Sequence, residues 1–215
     1  KRQDDASTDD SLATLKRLSI FQAGRIIVEQ NPLNRGHGPT VVRAYWRALE
    51  LRCTYILHVD SDGEIDPRSI AQLVSSALDE KREIVIGVRR GRNSPFHRAL
   101  VTRLLRILLL VLFGVRSRDV NSPVRIYERN ALGELLPKIP TNSLIPHVLL
   151  TVVIHKSSRK FIYVPVQSKI LDSDVQDGST WRASRRVLGI PTKFLKFVRN
   201  AGIELVLFRL IPNRK

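Results

Sequence analysis

Two carboxylates separated by one serine, Asp60 and Asp62, follow directly on the apolar run Tyr55-Ile56-Leu57-His58-Val59. Gly63, Glu64, Ile65, Asp66 and Pro67 come next. The run reads as a short buried strand, and in extended geometry residues two apart project to the same side. Hard oxygen donors converging at the carboxyl end of a strand suit a divalent cation that carries phosphate oxygens. The same residues also suit plainer roles: a turn after the strand, and a helix start at Asp66-Pro67-Arg68-Ser69. A calcium loop of the EF-hand type is excluded, because it needs glycine at its sixth position and glutamate at its twelfth. Those positions hold Ile65 and Ala71.

The second group with chemical potential is basic. Arg89, Arg90, Arg92, His97, Arg98, Arg103 and Arg106 arrive together, and on helical spacing Arg98, Thr102 and Arg106 share a stripe. The segment from Ile107 to Phe113 that follows is apolar on all sides. Either a basic stretch leads into a buried helix, or a helix lies partly in lipid with arginines at the headgroups. From Trp181 onward nearly every charge is basic, Glu204 being the one acid. Lys193, Lys196 and Asn200 fall on one helical face, with Phe194, Phe197, Val198 and Ala201 opposite, which predicts a basic amphipathic helix.

Positioning these groups requires alternating elements. The pattern predicts a helix opening near Ser7, Thr8 or Asp9 and running to Leu18, a strand over Arg25 to Glu29, and a loop from Asn31 to Pro39. A helix from Thr40 to Arg52 then leads into the central strand. A helix over Ser69 to Leu78, a strand over Glu83 to Val88, a loop and short strand over Asp119 to Tyr127, helices near Glu128 to Leu136 and Pro146 to Lys156, and a strand over Phe161 to Val166 complete the order. Residues from Gln167 to Thr180 read as a mobile loop. Such alternation predicts an α/β layered domain with a mostly parallel central sheet. The expected division is a catalytic domain over residues 1–180 and basic amphipathic, membrane-facing helices over 181–215.

The chain has 215 residues, enough for one well-cored domain, with 43% hydrophobic and 26% charged residues, which excludes disorder. A formal net charge of +16 implies an anionic partner: nucleic acid, a phosphorylated substrate or an acidic lipid surface. One cysteine, Cys53, excludes a disulfide framework and a cysteine-based zinc site and fits a reducing compartment. No apolar run approaches the about 20 residues needed to span a bilayer. There is no phosphate-loop or nucleophile-elbow motif. The chain opens on Lys1 and contains no methionine, so its native start is expected upstream.

Three blocks in order, Asp4-Asp5-Ala6-Ser7-Thr8-Asp9, Asn34-Arg35-Gly36-His37-Gly38 and Asp60-Ser61-Asp62-Gly63, resemble glycosyltransferase family 2. Ile86-Gly87-Val88-Arg89, Asp119 to Arg125 and Tyr163-Val164-Pro165-Val166 continue the pattern. The resemblance covers roughly residues 4 to 166 and is greatest to the polyprenyl-phosphate branch, of dolichol-phosphate mannose synthase type. It implies the GT-A fold, with the family's first strand missing ahead of Asp4, and a UDP- or GDP-linked sugar donor. It also implies that Asp4 and Asp5 serve the nucleotide, with Asp5 on the base and the Gly36 to Gly38 loop beside it. Asp60 would face the ribose and sugar, and Asp62, with Asp60, would hold Mg²⁺ or Mn²⁺ against the diphosphate. Arg89, Arg98, Arg103 and Arg125 would receive the acceptor phosphate, with Asp119 a fallback acid or base. Relatives acting on hydroxyls often carry an acid where this chain reads Ile145-Pro146-His147, and the difference favours a phosphate acceptor.

The expectation is therefore an inverting transferase, peripheral on the cytoplasmic face of an anionic membrane or else cytoplasmic, moving sugar to a polyprenyl phosphate. The alternatives are the same fold acting on a glycan or glycolipid hydroxyl, and a basic nucleic-acid-binding protein. The last ranks lowest, because aromatics make up only 6% and do not interleave with the basic stretches.

Overall fold

The computed structural model describes residues 2–7, 10–24, 26–90, 96–168, 186–187 and 190–210. The segment read as a loop from Gln167 lies, beyond Ser168, outside the described residues, as do Thr8, Asp9 and Arg92. The elements run β1 (Arg2–Asp4), α1 (Ser11–Arg17), α2 (Ser19–Gln22), β2 (Val28–Gln30), α3 (His37–Leu49), β3 (Tyr55–Val59), α4 (Pro67–Asp79) and β4 (Ile84–Arg90). They continue with α5 (Phe96–Phe113), β5 (Val124–Glu128), α6 (Arg129–Leu135), α7 (Pro146–Lys156), β6 (Phe161–Gln167), the two-residue β7 (Arg186–Val187) and β8 (Ile190–Pro191), and α8 (Thr192–Leu210).

The main sheet has the order β3-β5-β4-β6. It is mixed: β4 and β6 are parallel, while β5 runs against both β3 and β4. β1 and β2 form a separate parallel pair. The alternation of strand and helix is as expected, but strand direction is not encoded in a period-two pattern, and β5 returns between β3 and β4.

Helices cover both sides of this sheet. Ile56, Ile84, Ile86 and Tyr127 pack with Val41, Val42 and Tyr45 of α3, Leu132 and Leu135 of α6, and Leu149 and Val152 of α7. The opposite face, carrying Val85, Val124, Ile126 and Val164, packs on Leu73 and Ala77 of α4. Helix α7 is buried from Pro146 to Ile154, its mostly apolar sequence being interrupted only by His147 and Thr151, which are buried with it. Helix α4 begins where Asp66 accepts from the Arg68 N–H with Pro67 in the first turn, so the plain helix-start reading of that tetrapeptide is observed.

The C-terminal helix is anchored to this body. Ala201 and Leu205 of α8 are buried in the larger cluster. Glu204 accepts from Ser143 Oγ at 2.5 Å and from the Leu144 N–H at 2.9 Å. The buried stripe is thus Ala201 and Leu205, whereas Phe197, expected on the apolar face, is exposed beside Lys196. The side chains of Lys193 and Phe194 lie outside the described residues.

Loop 143–144, held by Glu204, lies against the first turn of α3. A Cβ on Gly38 would fall 2.7 Å from the Leu144 carbonyl oxygen and closer still to that of Ser143. Gly38→Ala should therefore lower the free energy of unfolding by about 1–3 kcal/mol, as overpacking against fixed backbone does. Urea denaturation checks this, and an unchanged midpoint would contradict the close approach.

Candidate active site

Parallel pairing of β1 with β2 sets Asp4 opposite Gln30, and the Asn31 N–H donates to the Asp4 carbonyl at 2.8 Å. The Asp4 side chain is buried and accepts from the Ser7 N–H and hydroxyl, forming the turn that follows the strand. Asp5 reaches across to the next loop. Its Oδ1 accepts from Asn31 Nδ2 at 2.8 Å and the Arg35 N–H at 2.9 Å, and its Oδ2 from the Gly36 N–H at 2.8 Å. Gly36 has φ +85°, a left-handed conformation that glycine adopts without strain. Partial burial would raise the Asp5 pKa, but the Arg35, Asn31, Thr40 and Gly36 donors outweigh it and hold the carboxyl below its usual range. Asp5 and the Gly36 to Gly38 loop therefore lie together, with the carboxylate bracing the loop.

Asp60 follows the last residue of β3, and its N–H donates to the Pro123 carbonyl at 3.0 Å. Its Oδ1 lies 2.9 Å from His58 Nε2. Burial pushes the Asp60 pKa up, yet the His58 hydrogen bond and the charges of His58, His37 and Arg89 bring it below the ordinary carboxylate value. Asp60 is thus ionised near neutrality, and His58 Nε2 is the donor. Asp62 is exposed, and its Oδ1 accepts from the Glu64 N–H at 2.9 Å, closing a turn in which Gly63 has φ +75°. The turn expected from Asp-Ser-Asp-Gly is present, and it engages only one oxygen of Asp62.

The second expected cluster divides. Arg89, at the end of β4, makes a two-pronged pair with Asp119: Nε to Oδ2 at 2.9 Å and Nη2 to Oδ1 at 3.1 Å. Glu64 stands 3.7 Å from Arg89 Nη1. Both oxygens of Asp119 thus face a guanidinium in a two-pronged, charge-assisted pair. Arg103 is exposed on α5, and the side chain of Arg98 lies outside the described residues. Arg125 requires a correction to its expected place. It is fully buried between the sheet and α7, donating to the Ser122 and Val120 carbonyls and to Thr151 Oγ1. Its place on β5, on the same face as Tyr127, turns it into the interior, away from any lipid phosphate.

Sequence reasoning missed a histidine–tyrosine group beneath Asp60. The His58 ring lies edge-on to His147, centroids 4.6 Å apart, and 5.3 Å from Tyr45. Tyr45 OH is 3.2 Å from His147 Nε2. Burial, with the charges of His58 and Arg125 adding to it, lowers the His147 pKa well below the usual value, so its ring is neutral. One signal was available: His58 and Asp60 share the strand's period-two side.

Asp60 and Asp62 each keep an oxygen with no partner among the described residues. Two hard donors on one turn fit Mg²⁺ or Mn²⁺, which binds through one or two carboxylates and completes its shell with phosphate oxygens and water. No group of three or more His, Cys, Asp or Glu among the described residues forms a site by itself.

The family model described as glycosyl transferase family 2 matches residues 3–136. The chain is 23% identical over 148 residues to UDP-N-acetylglucosamine–dolichyl-phosphate N-acetylglucosaminyltransferase of Methanococcus voltae, covering 61% of this chain and 59% of the relative. It is 24% identical over 137 residues to polyprenol monophosphomannose synthase of Mycolicibacterium smegmatis, covering 61% of this chain and 51% of that one. It therefore spans only half to three-fifths of the length of these two relatives. Among solved structures it resembles glucosyl-3-phosphoglycerate synthase of Mycobacterium tuberculosis in complex with Mn²⁺, UDP and glucosyl-3-phosphoglycerate. The TM-score is 0.60 at 21% identity, covering 99% of this chain and 69% of that one. This likeness gives the fold, GT-A.

The Asp5 brace has a pH signature. Its folded pKa lies below the unfolded value of about 3.9, so its stabilisation is complete above that value and fades as pH falls through the folded pKa. Wild type should lose more stability between about pH 6 and about pH 3 than Asp5→Asn, which starts lower and has no such group to protonate. Denaturant melts at the two pH values measure it, and equal losses would contradict the brace.

Proposed function

The chain belongs to glycosyl transferase family 2, and we propose that it is an inverting enzyme moving a sugar from a UDP- or GDP-linked donor to a polyprenyl phosphate. The observation that carries this reading is the pair of carboxylates at the end of β3, one held ionised by His58 and both with an oxygen to offer. Asp62 and Asp60 would hold the divalent cation. Bound there, it would neutralise the charge that develops on the departing diphosphate. The chain's own part is to keep Asp60 anionic, to hold the Asp62 turn open toward the donor, and to hold Gly36 and His37 beside it through Asp5. Arg89 adds a fixed positive charge near Asp60, the kind of preorganised field that favours a departing anion. A phosphate acceptor is anionic already and attacks the anomeric carbon without a strong base, which agrees with Asp119 being committed to Arg89.

The acceptor class rests on two supports. Both named relatives act, by their names, on polyprenyl or dolichyl phosphates. Helices α5 and α8 also expose Leu104, Ile107, Val111, Val206, Leu207 and Leu210, with Arg103, Arg106, Arg199 and Arg209 exposed on the same two helices. Val111, the most exposed of them, is 75% exposed. Apolar residues rimmed by arginine suit the headgroup level of an anionic membrane, and we place the enzyme peripherally on its cytoplasmic face. Among the described residues no helix is long and apolar enough to cross a membrane.

Incubation with radiolabelled UDP- and GDP-sugars, Mn²⁺ and polyprenyl phosphate should give product in the organic extract. Asp62→Ala or excess chelator should cut transfer by about a hundredfold or more, with the thermal midpoint kept. Product on soluble glycans or small phosphorylated hydroxy acids alone would contradict the acceptor, and full activity of Asp62→Ala would contradict the metal site. Wild type should also co-sediment with vesicles containing anionic lipid, and Val111→Glu with Leu207→Glu should weaken that binding about tenfold. Undiminished binding by the double variant would contradict the placement of α5 and α8 at the membrane.

A further inference from the structure

We propose that His58 is the positioning residue for Asp60, its imidazole wedged by Tyr45 and His147 so that the carboxylate presents Oδ2, and only Oδ2, at the sheet edge. The inference rests on the glycosyltransferase reading for its purpose, but its geometry stands independently. Asp60 has left the ladder of β3, so apart from its own N–H bond to Pro123 nothing in the sheet fixes its side chain. A free aspartate at a strand end samples several rotamers. The His58 Nε2–H···Oδ1 bond at 2.9 Å selects one of them.

That bond is only as firm as the ring that makes it. Helix α3 contributes Tyr45, 5.3 Å from the His58 ring, and helix α7 contributes His147, at 4.6 Å and nearly perpendicular to it. The two wedging residues are themselves tied, Tyr45 OH to His147 Nε2 at 3.2 Å, and both are buried. Across the ladder His58 pairs with Arg125, whose Nη2 donates to Thr151, one turn along α7 from His147. Strand β3, strand β5 and helices α3 and α7 therefore all converge on one imidazole. His147, neutral, brings no second charge to compete for Asp60. The carboxylate oxygen left over, Oδ2, has no hydrogen-bond partner among the described residues, and a nucleotide or cation would meet it without first having to order it.

Two substitutions separate the hydrogen bond from the packing. His58→Phe keeps a ring between Tyr45 and His147 but has no donor, while His58→Gln carries an N–H of comparable reach without the ring. In wild-type background, His58→Phe should raise KM for the nucleotide sugar about tenfold with kcat changed little, and His58→Gln should recover most of that loss. A merely structural role would lower the thermal midpoint of both and give no such rescue. Independently of activity, a double-mutant cycle of His58→Phe with Asp60→Ala, read by urea unfolding, should be non-additive by about fivefold in the unfolding constant. Coupling in a protein that transfers no sugar would uphold the pair and overturn only the assigned reaction. An additive cycle, or an active His58→Phe with unchanged KM, would overturn the proposal.

Discussion

Asp60 has to remain ionised with only 24% of its side chain in contact with solvent, and the surrounding architecture follows from that constraint. Removing a carboxylate from water favours its protonated form, and a protonated acid offers less to a cation. The opposing contributions come from three elements: His58 from β3 itself, Arg89 from β4, and His37 from the first turn of α3. His37 is exposed, whereas Arg89 and His58 are largely shielded from solvent, so salt screens their contribution less. Arg89 is held by Asp119 and the Asn121 carbonyl, and His58 is held by Tyr45 and His147. The charge at the sheet edge is therefore set largely by His58 and Arg89, whose positions are fixed by the contacts around them.

A second layer of polar contacts fixes the loops around that charge. Asp5 gathers Asn31, Arg35 and Gly36, and so sets where α3 begins. Glu204 from α8 gathers Ser143 and Leu144, and so sets where α7 begins, against Gly38. The two helices that wedge His58 are thus each positioned at the amino end by a single carboxylate. Two acidic residues of this strongly basic chain thus hold the loops that lead into α3 and α7.

Much of this was legible in the sequence, and the reasons differ by element. The strand Tyr55–Val59 was expected with the bounds observed, because an apolar run ended by a turn has few other ways to fold. Helix α7 was equally plain from its mostly apolar sequence and Pro146 at its start. The Asp-Ser-Asp-Gly turn and the Asp66 cap were local, and local chemistry is what a sequence carries best. The reversal of β5 was not legible, since alternation reports which face a side chain takes and not which way the chain runs. Arg125 was expected at the acceptor phosphate because the family resemblance implied it, and nothing local in the sequence marks a charged residue as buried. Its burial depends on carbonyls and a threonine brought from residues 120–122 and from α7. The His58–His147–Tyr45 group joins residues far apart in the chain, and only His58 had a neighbour, Asp60, that could have drawn notice to it.

The most direct test of the account is a crystal structure of the protein with Mn²⁺ and UDP or GDP. The account predicts a cation about 2.1–2.3 Å from an Asp62 carboxylate oxygen, bridged to the diphosphate, with Oδ1 of Asp60 still on His58 and Oδ2 turned to the nucleotide. A nucleotide bound elsewhere, or a cation reaching the diphosphate with neither aspartate in its shell or beside it, would contradict it.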